Sequence, residues 1–128
     1  MYAAIPPAIE KVASACVDCG LYVHRTLGPG FKELIYQRAY YLELDSRGIK
    51  YECEKAINVR YRTWEIPGQR VDLIVEGMVI VEIKAVPSVR AIHRLQTLSY
   101  LKTTGLRVAF VMNFNSPLFK DGLRRVVL

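Results

Sequence analysis

The chain has 128 residues, of which 52% are hydrophobic, and it carries a formal net charge of +6. A chain of this length can bury a proper core, its apolar fraction argues against intrinsic disorder, and no apolar run approaches the roughly 20 residues of a membrane span. We therefore expect one domain, residues 1–128, whose basic balance is compatible with a polyanionic partner.

The N-terminal segment and the cysteines favour a cytoplasmic protein. Residues 1–7 lack the basic flank and long apolar core of a signal peptide. Cys16, Cys19 and Cys53 are an odd number without the dense spacing of a disulfide scaffold. Cys16 and Cys19 form a CxxC pair, but they fall within a predicted helix and lack a second ligand pair. We interpret them as small buried hydrophobic residues.

The first half of the chain predicts two helices. Pro6-Pro7 is typical of a first helical turn, and apolar residues follow at helical spacing until Gly28-Pro29-Gly30 ends the helix. A second helix is predicted from about Phe31 to Arg47, with Gly48 in the usual position after a helix C-terminus.

The middle of the chain predicts strands. Apolar alternation over residues 49–61 indicates a first strand, and the segment Trp64 to Gln69, which contains Pro67-Gly68, predicts a turn or loop. The β-branched runs 71–75 and 79–83 predict a hairpin of two buried strands.

The last third completes an α/β pattern. A helix is predicted from about Ser88 to Thr103, and the apolar run 108–112 indicates a strand covered on both faces. The connection is long enough for a parallel, right-handed crossover. Residues 113–122 are turn-rich, and residues 123–128 are a candidate short last strand. The order α-α-β-β-β-α-β(-β) predicts a mixed central sheet of four to five strands flanked by helices.

Three charged residues interrupt the apolar hairpin: Asp72, Glu82 and Lys84. A buried charge costs several kcal/mol unless it is paired, hydrogen-bonded or bound to a metal. A two-residue turn would place the two acids on opposite faces, whereas the three-residue loop Glu76-Gly77-Met78 places Asp72 opposite Glu82. The proposed site requires this longer loop, and its glycine suits such a turn.

These groups predict a site for a divalent cation and an activated water. Asp72 and Glu82 can ligate Mg²⁺ or Mn²⁺, and the backbone carbonyl of Ile83 could supply a further oxygen. Lys84 shares a strand face with Glu82, where it would stabilise developing negative charge or hold the attacking water near the scissile phosphate.

Further candidates lie on the helices. Glu33, early in the second helix, could complete an outer carboxylate shell or a second metal site, and His24 is a candidate auxiliary ligand. Gln96 and Tyr100 are four residues apart on the crossover helix, so they point the same way and could reach the phosphate or the water.

Basic side chains offer a candidate track for phosphates, although an ordinary solvated surface carries similar charge. The candidates for nucleic-acid contact are Arg70, Arg90, His93 and Arg94. Each motif alone is a weak signal, but their occurrence together, in order along one chain, favours a functional site.

Asp72 followed by Glu82-Ile83-Lys84 resembles the signature of the PD-(D/E)xK nuclease superfamily. Gln96-Thr97-Leu98-Ser99-Tyr100 resembles the QxxxY motif of its RecB-like branch. Gly30-Phe31-Lys32-Glu33-Leu34-Ile35-Tyr36 resembles the name-giving motif of the small GxxExxY family, and residues 24–30, 113–115 and 120–122 are similar to it as well.

The resemblance covers almost the entire chain and implies a restriction-endonuclease-like, three-layer α/β fold. It also implies Mg²⁺- or Mn²⁺-dependent hydrolysis of nucleic acid, with DNA as the expected polymer. Val71 stands where the superfamily pattern has proline, and the three cysteines do not match the four-cysteine iron–sulfur cluster of some RecB-like nucleases, so we expect no cluster.

Two alternatives stay open at this point. The chain could be a catalytically silent module on the same fold that binds nucleic acid or a protein. It could also be a junction-resolving enzyme, which needs a homodimer to cut two strands symmetrically.

Overall fold

Five strands form one mixed sheet in the computed structural model, which describes residues 3–128. Met1 and Tyr2, the start of the segment considered above for a signal peptide, lie outside the described residues. The strands lie side by side in chain order, and every neighbouring pair is antiparallel except β3 and β4, which are parallel. Their bounds are β1 Tyr51–Tyr61, β2 Trp64–Val75, β3 Val79–Lys84, β4 Val108–Asn113 and β5 Leu123–Val127. The predicted mixed sheet, including its last strand, is confirmed.

Helices cover both faces of the sheet. Helices α1 and α2 pack on one face in a large apolar cluster, and α3 packs on the other face in a smaller one. Their bounds are α1 Pro7–Leu27, α2 Glu33–Ser46, α3 Ala91–Thr104 and the single turn α4 Phe119–Gly122. Within residues 3–128, no helix combines the length and hydropathy that crossing a membrane requires.

Alternation along β3 decides which side chains face which helices. Val79, Val81 and Ile83 belong to the cluster beneath α1 and α2, whereas Ile80 belongs to the cluster beneath α3. Because side chains two residues apart share a face, Glu82 points to the α3 side of the sheet.

The loop predicted at Trp64 to Gln69 is wrong, because this segment is the first half of β2. The chain turns over only two residues, Arg62-Thr63. Between two paired positions, Pro67-Gly68 lie opposite the single residue Asn58, which makes a β-bulge. A bulge accepts a proline that cannot donate to the ladder and a glycine with a φ of 120°.

The cysteines of α1 are buried, as predicted. Cys16 and Cys19 are free thiols in the main apolar cluster. Burial raises the pKa of Cys16 to about 12, so this thiol stays protonated near neutral pH and is a packing group rather than a nucleophile.

Candidate active site

A three-residue loop joins β2 to β3, as the proposed site required. Glu76 and Gly77 both adopt positive φ, 52° and 66°, and the N–H of Met78 donates to the carbonyl of Val75 at 2.9 Å. The register pairs Val75 with Val79 and Leu73 with Val81. One step further along this register, Asp72 lies opposite Glu82.

The backbone ladder between β2 and β3 stops at this pair, and the two carboxylates replace the missing carbonyl acceptors. The N–H of Asp72 donates to Oε1 of Glu82 at 3.1 Å. The N–H of Ile83 donates to Oδ2 of Asp72 at 3.3 Å. The strands therefore part at the two acids, and each acid is held by the backbone of the opposite strand.

Pairing is interrupted on the other side of Asp72 as well. Cys53 pairs with Leu73 and Lys55 pairs with Val71, but the residues between them, Glu54 and Asp72, do not pair. Glu54 has a φ of 50°, a left-handed conformation that costs a non-glycine residue about 1–3 kcal/mol. Local strain on β1 thus lies directly opposite Asp72.

The electrostatics of the site favour a cation. Glu82 is 3% exposed, and burial together with the neighbouring Asp72 carboxylate raises its pKa to about 9. Lys84 is half-buried two residues further along β3. Its charge opposes that rise, yet within residues 3–128 no ion pair of 4.0 Å or less joins it to either acid. Two adjacent carboxylates whose negative charge Lys84 only partly compensates suit a hard divalent cation.

The carbonyl of Ile83 faces the same gap. The N–H and C=O of one strand residue point to the same side, and this N–H reaches Asp72 across the gap between β2 and β3. The carbonyl of Lys84 points the other way, since it accepts from the N–H of Phe114, which directly follows β4. The carboxylates of Asp72 and Glu82 and the carbonyl of Ile83 therefore all border the gap between β2 and β3.

Helix α3 brings Tyr100 to the acids. Tyr100 is buried on the α3 side of the sheet, and burial, with smaller contributions from the charges of Glu82 and Asp72, raises its pKa to about 12. Gln96 lies one helical turn earlier and is exposed. Of the predicted pair, Tyr100 thus lies near the two acids, and the side chain of Gln96 is exposed to solvent.

Helix α2 approaches the site with a polar stripe. Glu33, Gln37 and Tyr41 follow one another at four-residue intervals, and Nε2 of Gln37 lies 3.5 Å from Oε2 of Glu33. Burial raises the pKa of Tyr41 to about 12, with the charges of Cys53 and Asp72 contributing. Of these three residues, Tyr41 is thus the one whose pKa responds to the charge of Asp72. Glu33 lies two helical turns from Tyr41, roughly 12 Å along the helix axis.

His24 has a structural environment. It is buried, and its Nε2 donates to the carbonyl of Ser116 at 2.7 Å, while its ring lies against Phe114 and Phe119. No group of three or more histidine, cysteine or acidic side chains that could hold a metal occurs in residues 3–128. The structure therefore brings neither His24 nor Glu33 into one ligand cluster with the two acids.

The basic candidates lie near the start of α3 and in the middle of β2. Arg90 and Arg94 are exposed, and the N–H of Arg90 donates to Nδ1 of His93 at 3.0 Å. This bond caps the first turn of α3 and fixes the His93 ring. Arg70 is exposed on β2, and its Nη1 lies 4.0 Å from Oε2 of Glu54, a pair worth little at such exposure.

Two further residues of the site were not among the candidates. Tyr41 could have been found from its spacing of four and eight residues from Gln37 and Glu33. Asn113 is fully buried at the end of β4. Its Oδ1 accepts from the N–H of Val86 at 3.0 Å and its Nδ2 donates to the carbonyl of Val86 at 2.9 Å. The amide thus pins the segment that follows Lys84.

Comparison with known proteins agrees with this geometry. The family model of the PD-(D/E)XK nuclease superfamily matches residues 10–126. No curated protein and no solved structure matches the chain significantly. The five-stranded mixed sheet with helices on both faces is consistent with the restriction-endonuclease-like fold of that superfamily.

Proposed function

The chain belongs to the PD-(D/E)XK nuclease superfamily, and on that premise we propose that it is a divalent-metal-dependent nuclease that hydrolyses phosphodiester bonds of DNA. The observation that carries the proposal is the meeting of the Asp72 and Glu82 carboxylates where β2 and β3 part. Within the superfamily, the GxxExxY motif at Gly30–Tyr36 and the QxxxY spacing of Gln96 and Tyr100 support a RecB-like member of the GxxExxY family.

Asp72, Glu82 and the Ile83 carbonyl would hold Mg²⁺ or Mn²⁺, which supplies charge neutralisation at the scissile phosphate. Lys84, on the same strand face as Glu82, donates to the phosphate or orients the attacking water. Tyr100, which is buried on the same side of the sheet as Glu82, would shield the site from bulk water.

A cleavage screen tests the proposal. Labelled single-stranded, duplex and branched DNA, with matched RNA, are incubated with Mg²⁺, Mn²⁺ or EDTA, and Lys84→Ala serves as the inactive control. We expect cleavage of at least one DNA substrate with Mg²⁺ or Mn²⁺ and none with EDTA. Binding without any cleavage would indicate the silent module, and paired cuts in branched DNA by a dimer would indicate the junction-resolving alternative.

Cation binding can be measured separately from cleavage. Because a ligand that binds only the folded state stabilises it, Mg²⁺ or Mn²⁺ in large excess over its Kd should raise the unfolding free energy by about 2–3 kcal/mol. Asp72→Asn should remove this gain, and Glu65→Gln, on an exposed part of β2, should keep it. An equal gain in Asp72→Asn would place the cation elsewhere.

A further inference from the structure

Strands β1 and β2 extend beyond the part of the sheet that carries the site. β1 has 11 residues and β2 has 12, whereas β3 and β4 have six each. β2 pairs with β3 only over Leu73–Val75, so residues 55–70 form a two-stranded ribbon, which we call the arm. None of these 16 residues is buried. Ile57, near the base of the arm, packs against the cluster beneath α3, but a ribbon that buries so little gains little stability by itself.

The arm concentrates positive charge. It contains four basic side chains and one acidic side chain, namely Lys55, Arg60, Arg62, Arg70 and Glu65. One eighth of the chain thus carries a net charge of +3, half of the total of +6. Charge of this sign and density attracts the phosphates of a nucleic acid.

Two exposed aromatic side chains lie at the tip of the arm. Tyr61 and Trp64 are directly opposite each other across the turn, and they are 58% and 62% exposed. The guanidinium carbon of Arg62 lies 5.9 Å from the centroid of the Tyr61 ring. Exposed aromatic rings beside arginines suit unpaired nucleobases, which stack on the rings while the arginines contact phosphates.

The arm is continuous with the site. Trp64 and Asp72 are eight residues apart on the same strand, a separation of at most roughly 26 Å at about 3.3 Å per residue. Stacked nucleotides rise about 3.4 Å each. A strand cut at Asp72 would therefore meet the tip at most about eight nucleotides from the cleaved bond.

We propose that the arm binds unpaired bases of the nucleic acid that is cut at the site, with Tyr61 and Trp64 as stacking platforms and Arg60 and Arg62 as phosphate contacts. The identity of the partner rests on the proposed nuclease function. The net charge of the arm and its continuity with Asp72 favour nucleic acid over a protein that would cover the same rings.

Trp64 is the single tryptophan of the chain, so intrinsic fluorescence reports directly on the tip. In EDTA, titration with labelled single-stranded DNA should change the fluorescence emission of Trp64. The anisotropy of the labelled DNA, measured in parallel, shows how much DNA is bound. Inorganic polyphosphate, which has charge but no bases, should bind without that change. Unchanged emission with bound DNA would overturn the proposal. So would an emission change that follows protein concentration alone, which indicates self-association.

Variants separate stacking from charge. The double variant Tyr61→Ala/Trp64→Ala should weaken binding of single-stranded DNA at least 10-fold, because each stacked base contributes a factor of about five or more. Tyr22→Ala is a matched control, since Tyr22 is 52% exposed on α1 and also has a guanidinium, that of Arg47, 5.9 Å from its ring centroid. Equal effects in the double variant and the control would overturn the proposal.

The two proposals fail in distinguishable ways. Binding that depends on the tip in EDTA, without cleavage in Mg²⁺ or Mn²⁺, rejects the nuclease and retains the arm. Cleavage that is indifferent to the tip rejects the arm and retains the nuclease. Arg60→Ala/Arg62→Ala should lower the salt dependence of binding to single strands by about 0.7 in log–log slope for each phosphate that the arginines no longer neutralise. An unchanged slope would remove the two arginines from the proposal.

Discussion

The two halves of β2 differ in their burial and in their strand pairing. Residues 71–75 are covered by helices on both faces and pair with β3 at their end, whereas residues 64–70 pair only with β1 and contain no buried residue. Asp72 is the second residue of the buried half, next to the boundary. The site lies where a buried sheet narrows to an exposed ribbon, so that the strands part while a rigid core holds both acids.

The largest expected difference between the halves is in catalysis. Lys84→Ala and Asp72→Ala should each lower the rate of Mg²⁺-dependent cleavage by roughly 100- to 1,000-fold or more, because each removes charge that acts on the scissile phosphate. Lys11→Ala, an exposed lysine of α1, is the charge-matched control. Full activity in both site variants, measured with the same labelled substrate, would reject the site.

A pH titration in EDTA probes the buried half by itself. Between the ordinary pKa of 4.5 and its folded-state value of about 9, Glu82 keeps a proton that the unfolded chain releases. The unfolding free energy should therefore fall by several kcal/mol as pH rises from about 5 to 9, since each pKa unit corresponds to about 1.4 kcal/mol.

Glu82→Gln should flatten this pH dependence, whereas Glu65→Gln on the arm should leave it in place. Urea unfolding at several pH values measures both. A wild-type stability that stays constant or increases from pH 5 to 9 would contradict the burial of a protonated Glu82 beside Asp72.

Truncation of an apolar side chain should lower the unfolding free energy much more in the buried half of β2 than in the exposed half. Leu73 is fully buried and Ile66 is 49% exposed on the same strand. Leu73→Ala should cost about 2–5 kcal/mol, because it leaves a cavity in the core. Ile66→Ala should cost less than about 1 kcal/mol. Comparable losses in urea unfolding would mean that the arm packs against something in solution.

The buried half could be predicted because few arrangements satisfy its residues. The β-branched runs predicted buried strands. Asp72 and Glu82, which lie within these runs, could share one face of the sheet only if a three-residue loop joined the strands. That loop is observed between Val75 and Val79. The order of elements followed from the spacing of glycines and prolines, which end helices for local reasons.

The exposed half could not be predicted in the same way. Pro67-Gly68 are typical of a turn, and nothing local distinguishes a turn from a bulge in a long ribbon. Contacts between segments distant in sequence could not be predicted from local residue patterns either. The distance between Glu33 and the two acids depends on where α2 crosses the sheet, and the hydrogen bonds of His24 to Ser116 and of Asn113 to Val86 join segments distant in sequence.

The smallest expected difference in unfolding free energy is between variants of two asparagines. Asn113 is fully buried at the end of β4 and bonds both backbone groups of Val86, whereas Asn58 is exposed on the arm. Asn113→Ala should cost about 1–3 kcal/mol, because the part-buried N–H of Val86 loses its acceptor, while the Val86 carbonyl keeps the Nδ2 of Asn115 at 3.3 Å. Asn58→Ala should change the unfolding free energy by less than about 0.5 kcal/mol.

The Asn113 variant also connects the core to catalysis. Val86 lies two residues after Lys84, so loss of its hydrogen bonds should loosen the end of β3 and lower the cleavage rate without a change in Trp64-reported DNA binding. Single-turnover cleavage and the fluorescence titration measure the two effects separately. If DNA binding fell with the rate, the buried segment and the arm would act as one unit rather than as the independent halves inferred from their burial.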